Sequence, residues 1–362
     1  MNIEKQISKN DLGWNSFFEE HFEQYKNKNY AAMRIIRENR GKYVARDENG
    51  EFLCEITGKF RFENETSDKF PTVGDWVATS VVPNEQKAML HAVLPRKTIF
   101  NRKTAGEVTE EQAIAANIDT VFIITGLDSN FNIRRIERYL SIVADSGSLP
   151  VIILNKADLC LEADTRKAEV ESIAKGYDVY AISAYSQTDV EQLKKYIKFG
   201  ETIAFLGSSG VGKSTIINSF LKTDYLKTGE VSDLGSRGRH TTTFRELILL
   251  PEGGMVVDTP GMRELQVWGD DKGVNKVFDD INDLSVNCRF RDCTHINEPG
   301  CAVLEALKNG NLDEDRYKSF LKLKKEYAYL AARQTMKPNA VEKARWKTIT
   351  KSVKQLKKLK EY

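Results

Sequence analysis

No apolar run in these 362 residues approaches the ~18 that a membrane-crossing helix needs. The opening residues, Met1-Asn2-Ile3-Glu4-Lys5, lack the apolar core of an export signal, so the expected compartment is the cytoplasm, with no membrane partner. Cysteine is scarce and odd in number, five in all, which argues against a disulfide framework. No charge of one sign dominates. The 54 Lys and Arg face 52 Asp and Glu, a net +2, so overall charge selects neither an acidic nor a basic partner. What is present is ordinary globular material, 41% hydrophobic and 29% charged, in a length that suits two or three domains. The basic residues are unevenly placed. They far outnumber acidic ones from Tyr317 to Tyr362, ending in the lysine-rich run from Lys351 to Lys360.

The rhythm of the chain changes three times. Residues 1–32 form an extension that is polar and aromatic, with Trp14, Phe17, Phe18, Phe22 and Tyr25, and read as a short helix. Residues 33–105 hold short strands at Gly41–Arg46, Glu51–Ile56, Gly74–Ala78 and Lys87–Leu94, with a turn at Asp47–Gly50. Short strands at this density predict an N-terminal β-barrel of the OB type, and an SH3-like barrel would read the same. Residues 113–266 alternate strand and helix: strands at Thr120–Thr125, Pro150–Leu154, Asp178–Ile182, Glu201–Leu206 and Gly254–Asp258, helices at Arg134–Asp145 and Lys213–Leu221. That alternation predicts a doubly wound α/β sheet with ligand loops at the strand ends. Residues 267–362 hold no strand, only helices and a cysteine cluster.

Two motifs define the α/β segment, and their order matters. Asn155-Lys156-Ala157-Asp158 follows a buried strand and reads as a guanine-recognising box. Gly207-Ser208-Ser209-Gly210-Val211-Gly212-Lys213-Ser214-Thr215 lies between a strand and a helix and reads as a phosphate-binding P-loop. In the usual GTPase the P-loop comes first, so the reversed order predicts a circularly permuted α/β P-loop GTPase domain. Gly207 and Gly212 let the backbone wrap, and its N–H groups point at phosphate oxygens beside a positive helix end. Lys213 would bridge the β- and γ-phosphates, and Ser214 would place its hydroxyl on Mg²⁺. Asp158, an acceptor-only carboxylate, can take N1–H and the exocyclic amine of guanine together, which adenine does not offer. Lys156 would lie over the base plane, and Ser183-Ala184-Tyr185 would meet the base through backbone N–H.

Asp258-Thr259-Pro260-Gly261 ends another strand. Asp258 would hold Mg²⁺ through water, and Gly261 would give its N–H to the γ-phosphate. The Gly-, Arg- and Thr-rich segment Gly235–Thr243 fits a switch loop, with one of Thr241, Thr242 and Thr243 reaching Mg²⁺ in the triphosphate state. After Gly261 comes Met262, where Ras-like enzymes carry a water-orienting glutamine. Either His240 takes that role or a partner supplies it. Cys288-x4-Cys293-x-His295-x5-Cys301 offers three thiolates and one imidazole within fourteen residues. Soft ligands at that spacing suit one tetrahedral Zn²⁺, and with all four positions filled the role is structural. The tail from Lys318 mixes lysines with Tyr327, Tyr329 and Trp346. Beside an OB-type barrel and a zinc knob, it reads as a surface for RNA phosphates.

These residues together resemble the ribosome-small-subunit-dependent GTPase A family of bacterial circularly permuted GTPases. The resemblance spans about residues 33–350. It rests on Gly74-Asp75-Trp76-Val77, Asn155–Asp158, Gly207–Thr215, His240-Thr241-Thr242-Thr243, Asp258–Gly261 and the Cys288–Cys301 cluster with Glu298-Pro299-Gly300. It implies three domains: OB barrel, permuted GTPase and C-terminal helical zinc domain. It implies hydrolysis of GTP to GDP and phosphate, stimulated by the small ribosomal subunit and its rRNA late in that subunit's maturation. The family's candidate catalytic histidine falls on His240. The expected state is a monomer. The alternative reading is a constitutive RNA-binding module or RNA chaperone whose nucleotide is mainly structural. Permutation also directs the loop Asp258–Arg263 toward the zinc domain, so a γ-phosphate-driven shift there would move that domain on RNA.

Overall fold

The computed structural model describes residues 7–39, 41–64, 66–103, 111–223, 245–258 and 272–335. The chain opens with helix α1 (Ser16–Lys26), whose first turn is capped by the Asn15 side chain. Then come strands β1 (Ala31–Asn39), β2 (Lys42–Asp47) and β3 (Gly50–Ile56), helix α2 (Gly58–Glu63), and strands β4 (Trp76–Val81) and β5 (Lys87–Val93). These five strands hydrogen-bond in the order β1-β2-β3-β5-β4, and β4 returns to β1, which closes the barrel. β3 runs parallel to β5, and the other barrel pairs are antiparallel. The alternation of β2 sends Tyr43 and Ala45 into a core with Met33, Ile35, Phe52, Val77 and Leu90. The expected turn at Asp47–Gly50 is present: Asp47 Oδ1 accepts the Asn49 N–H at 2.7 Å, and Gly50 takes φ 134°.

A hairpin of β6 (Ile99–Lys103) and β7 (Glu111–Ala116) follows, at the expected break between the two segments. The α/β part is β8 (Thr120–Gly126), α3 (Ile133–Ser146), β9 (Leu149–Asn155), α4 (Ala163–Ile173), β10 (Val179–Ile182), α5 (Gln187–Glu191), β11 (Thr202–Leu206), α6 (Lys213–Leu221), β12 (Arg245–Leu249) and β13 (Met255–Asp258). β10, β9, β8, β11 and β13 lie side by side in parallel. Successive residues of β8 serve opposite faces. Val121 and Ile123 join the core under α3, while Phe122 and Ile124 join Ile216, Ile217 and Phe220 of α6. That is the doubly wound arrangement, with both sheet faces covered.

The last described part is helical: α7 (Lys272–Val277), α8 (Asp279–Ser285), α9 (Ala302–Lys308) and α10 (Glu314–Thr335). Val274, Phe278, Val303, Phe320 and Tyr327 extend the core beneath α3. Ion pairs reinforce the contact of α3 with α10. Arg138 meets Glu326 through two bonds of 2.5 and 2.8 Å, Arg134 meets Asp313 at 2.8 Å, and Arg316 reaches the fully buried Glu137 at 3.0 Å. Among the described residues no helix is long and apolar enough to cross a membrane.

Two features join the barrel to the α/β sheet. β12 lies antiparallel to β13 on one side and pairs with β1 on the other, Arg37 opposite Glu246 and Glu38 opposite Arg245, so one 11-stranded sheet runs through both parts. Arg34 of β1 is 2% exposed. Its guanidinium donates to Leu12 O, to Gly74 O at 3.2 Å, to Asn117 O at 3.2 Å and to Thr202 Oγ1 at 2.9 Å. It thereby ties the N-terminal segment, the barrel and β11 to one point. Burial pulls its pKa down to about 10, against the pull of Asp119 and Asp75.

The N-terminal segment is docked. Phe18 and Phe22 of α1 pack with Leu12 on Trp76, Ala78 and Ala32, the residues of β4 and β1 that face away from the barrel interior. Trp14 meets Trp76 edge-on at 4.7 Å. A cleft of about 580 Å³ opens where this segment meets the barrel, lined by Tyr25, Lys28, Tyr30, Lys59, Lys69 and His91 among others. The Tyr30 and His91 rings stack at 4.2 Å.

Candidate nucleotide and metal sites

Parallel strands end together, and here their ends carry the motifs. Asn155 ends β9, Ser183 and Ala184 follow β10, Gly207 follows β11, and Asp258 ends β13. The loop Gly207–Gly212 then leads into α6, so Lys213, Ser214 and Thr215 form that helix's first turn. Glycine is required at two of its positions. A Cβ on Gly207 would lie 2.2 Å from Ile124 O, and one on Gly212, at φ 98°, would lie 2.1 Å from Asn155 Nδ2. Ser209 and Gly210 are exposed at the crest, with Gly210 at φ 75°.

Asn155, 2% exposed, is the bracket between the two motifs. Its Nδ2 donates to Val211 O at 2.7 Å, and its Oδ1 accepts the Ala184 N–H at 2.8 Å. One buried amide therefore fixes the P-loop against the loop after β10. Lys156 takes φ 67° and its ammonium meets Asp128 at 2.6 Å, so the turn Ala157–Leu159 leaves Asp158 exposed. Asp128 sits just after β8. Burial raises its carboxyl, but Lys156 and the Asn130 N–H outweigh that and hold it below the usual carboxylate range. Ser183 N–H donates to Asp189 Oδ2 at 2.9 Å.

The Lys213 ammonium folds back onto the loop, donating to Gly207 O at 2.7 Å and to Ser208 O. Arg135, from the first turn of α3, donates to Ser208 Oγ at 2.7 Å. Ser214 offers a hydroxyl and Asp258, at the end of the neighbouring β13, a carboxylate, hard oxygen donors of the kind Mg²⁺ takes. His240, Thr241, Thr242, Thr243, Gly261 and Met262 lie outside the described residues, as does most of the loop from Asp258 to Arg263.

Asp128, Asp189 and Arg135 are polar partners that sequence reasoning missed. Asp128 and Arg135 act on loops far away in sequence, and only the parallel sheet brings them there. For Arg135 a signal existed, a double arginine at the start of the helix after the first α/β strand.

The second site is the loop between α8 and α9. Cys288, Cys293, His295 and Cys301 place their ligand atoms within 4.8 Å of one another. Cys288 and Cys301 Sγ are 3.8 Å apart and stand 3.6 and 3.4 Å from His295 Nδ1. These three distances suit one face of a tetrahedron whose corners lie ~2.0–2.3 Å from its centre, the bond lengths of a metal held by thiolates and imidazole. The cluster could therefore hold a metal ion. Its loop is shaped by Glu298, which accepts from the N–H of Thr294, Ile296 and Asn297 at 3.0–3.1 Å. The Thr294 hydroxyl, with the N–H groups of Asn297 and Thr294, holds the Glu298 carboxyl down at about 2. Tyr317 of α10 donates its hydroxyl to His295 O, which seats the loop on the helical core.

Residues 93–268 match the family described as RsgA GTPase. The chain is 43% identical over 347 residues to the Small ribosomal subunit biogenesis GTPase RsgA of Opitutus terrae, covering 93% of this chain and 95% of that one. It is 40% identical over 352 residues to the protein of the same name from Syntrophotalea carbinolica, covering 95% and 96%. Among solved structures it resembles YjeQ from Thermotoga maritima, with a TM-score of 0.59, 29% identity, and coverage of 82% of this chain and 98% of that one. It also resembles YloQ, a circularly permuted GTPase, with a TM-score of 0.57, 25% identity, and coverage of 86% and 97%. An N-terminal five-stranded barrel, a P-loop sheet in permuted order and a Cys3His cluster thus agree with sequence likeness over nearly the whole length, and the chain belongs to the RsgA family of GTP-hydrolysing enzymes.

Proposed function

We propose that this enzyme binds the small ribosomal subunit and its rRNA in the cytoplasm, as a monomer, and hydrolyses GTP when that subunit stimulates it, late in the subunit's maturation. The observation that carries the reading is the single amide of Asn155, which brackets a guanine box and a P-loop that lie in reversed order along the chain. The relatives' names support the ribosomal part.

In this reading Asn155, Lys156, Ala157 and Asp158, with Ser183 and Ala184, hold the guanine. Gly207 to Thr215, with Asp258 and Gly261, hold the phosphates. Ser214 and Asp258 hold Mg²⁺, which when bound neutralises phosphate charge. Lys213 leaves the Gly207 and Ser208 carbonyls for the β- and γ-phosphates. Cys288, Cys293, His295 and Cys301 hold one structural Zn²⁺. Residues 1–32 extend an OB barrel over 33–105, the permuted GTPase occupies 113–266, and the zinc-binding helical region occupies 267–362. The cleft with Tyr25, Tyr30, His91, Lys28 and Lys59 favours contact between the barrel and RNA, since aromatic rings and lysines serve bases and phosphates.

Met262 stands where a water-orienting glutamine would, so hydrolysis by the free enzyme is slow. Docking on the subunit places His240 beside the attacking water, and a hundredfold gain needs only about 2.7 kcal/mol of positioning. The test is steady-state GTP turnover with and without isolated small subunits, for wild type and His240→Ala. The substitution should leave GTP affinity and subunit binding nearly intact and remove most of the stimulated rate. Turnover unchanged by subunits would favour an RNA-binding module with a structural nucleotide. Full stimulation of His240→Ala would move the water-positioning role to a ribosomal group.

A further inference from the structure

Three arginines lie along the first turns of α3, and two are neutralised. Arg134 pairs with Glu137 at 2.6 Å and with Asp313 at 2.8 Å, and Arg138 is clasped by Glu326. Arg135 differs. Among the described residues no carboxylate pairs with it, and its guanidinium points to the P-loop, donating to Ser208 Oγ at 2.7 Å. The Lys213 ammonium reaches the same residue through its carbonyl. Two cations therefore converge on Ser208 from positions 78 apart in sequence (Arg135 to Lys213), and each donates to a different neutral oxygen of that residue, Oγ and the carbonyl O. Like charges gathered on a phosphate loop, one of them half-buried and with no carboxylate partner among the described residues, make a receptor for an anion. The backbone beneath Arg135 is held firmly. Asn132 caps the helix through the Arg135 N–H at 2.9 Å, and the Arg138–Glu326 clasp follows less than one turn later.

We propose that Arg135 is a second phosphate-contacting cation, supplied by the chain itself, that exchanges Ser208 Oγ for the terminal phosphate of GTP. This rests on the reading of Gly207–Thr215 as the GTP phosphate loop. In hydrolysis the water oxygen bonds to the γ-phosphorus as the bond to the β–γ bridging oxygen breaks. That oxygen leaves with the electron pair as part of GDP, and the water protons pass to the released phosphate or to solvent. Arg135, planar and permanently charged, offsets the charge on the γ-oxygens during that exchange, a contribution Lys213 alone makes from one side. GDP lacks the γ-oxygens, so the contact distinguishes the two nucleotides.

The experiment compares wild type, Arg135→Ala, Arg135→Lys and Lys213→Ala. Dissociation constants for fluorescent GTP and GDP analogues, basal and subunit-stimulated turnover, and thermal midpoints are measured. Arg135→Ala should keep GDP affinity within about threefold, lose about tenfold in GTP affinity and lose more than that in turnover. Millimolar guanidinium should restore part of the lost rate. Arg135→Lys should recover GTP affinity ahead of rate, because an ammonium cannot make the planar two-point contact. A wild-type ratio of GTP to GDP affinity together with wild-type turnover in Arg135→Ala would overturn the assignment. Equal loss of both nucleotides with a lowered thermal midpoint and no guanidinium rescue would also overturn it, by making Arg135 a prop for the loop. Wild-type nucleotide binding by Lys213→Ala would instead remove the P-loop reading, and this proposal with it.

Discussion

Asn155 and Asp158 stand three residues apart in one motif, and the structure gives them different work. Asn155 is buried and spends its amide on Val211 and Ala184, whereas Asp158 is exposed at the turn. Their substitutions should therefore differ in kind. Asp158→Asn removes a charged double acceptor worth about 3–5 kcal/mol, so GTP affinity should fall by about two orders of magnitude or more while xanthosine triphosphate binding improves. Asn155→Ala uncouples the two loops, so both nucleotides should bind worse and the thermal midpoint should drop. Competition binding with the two triphosphates checks both. Equal binding of GTP by Asp158→Asn and wild type would remove the guanine-box assignment. The types and spacing of these residues were legible in the sequence. The bracket was not, because its partners lie 29 and 56 positions away and meet Asn155 only when β9, β10 and β11 align.

Among the elements, those with a strong pattern were readable. The strands that end at Asn155, Ile182, Leu206 and Asp258 are short, apolar and followed by ligand-type residues, and α3 and α6 start and stop near the expected positions. The weakly patterned ones were not. β6 and β7 contain Asn101-Arg102-Lys103 and Glu111-Gln112, polar stretches that become strands because they pair with each other. β12 opens with Arg245-Glu246 beside a Gly- and Arg-rich segment, and its strand character comes from β13 and β1 on either side. The cysteine loop was legible from spacing alone, but Glu298 as its organiser was not. Zinc should be recovered at one per chain from protein purified without chelator, and Cys293→Ser should lose it and loosen the C-terminal third while GTP still binds. Glu298→Gln should keep the ligands but surrender metal to a chelator faster, since a neutral amide accepts the loop N–H bonds less strongly. Elemental analysis and a colorimetric chelator assay read these outcomes. Absence of zinc in the wild type would reject the metal assignment.

At the scale of the whole molecule, the barrel and the α/β sheet are not separable beads. β12 is covered on one edge by β1, and the guanidinium of Arg34 satisfies Thr202 Oγ1 and the Asn117 carbonyl from the barrel side. A fragment beginning near residue 113 would leave β12 with a bare edge and would strip Asn117 and Thr202 of that donor. It should be less soluble than the full chain and unfold at a lower temperature. Size-exclusion chromatography and calorimetry of the two would show it, and a fragment as stable and monodisperse as the full chain would refute the dependence. The change of rhythm marks a barrel part and an α/β part in the sequence, yet the seam between them was illegible. It rests on two residue pairs in a strand too weak to recognise and on an arginine that reads as an ordinary surface charge.

The reversed order of the motifs also sets a schedule for a chain made from its N-terminus. The barrel strands are complete by Val93, and β8, β9 and β10, half the strands of the α/β part, are synthesised before the P-loop. During that interval β8 has β9 on one side and nothing on the other, although it will end as an inner strand. β11 fills that edge and delivers the P-loop in one step. β12 and β13 then close the gap to a β1 made some two hundred residues earlier. In a conventional GTPase the emerging chain meets phosphate before base. Here the base-reading loop is made first and the P-loop only when nearly sixty per cent of the protein exists, so nucleotide can act as a late staple on the sheet rather than as an early template for it.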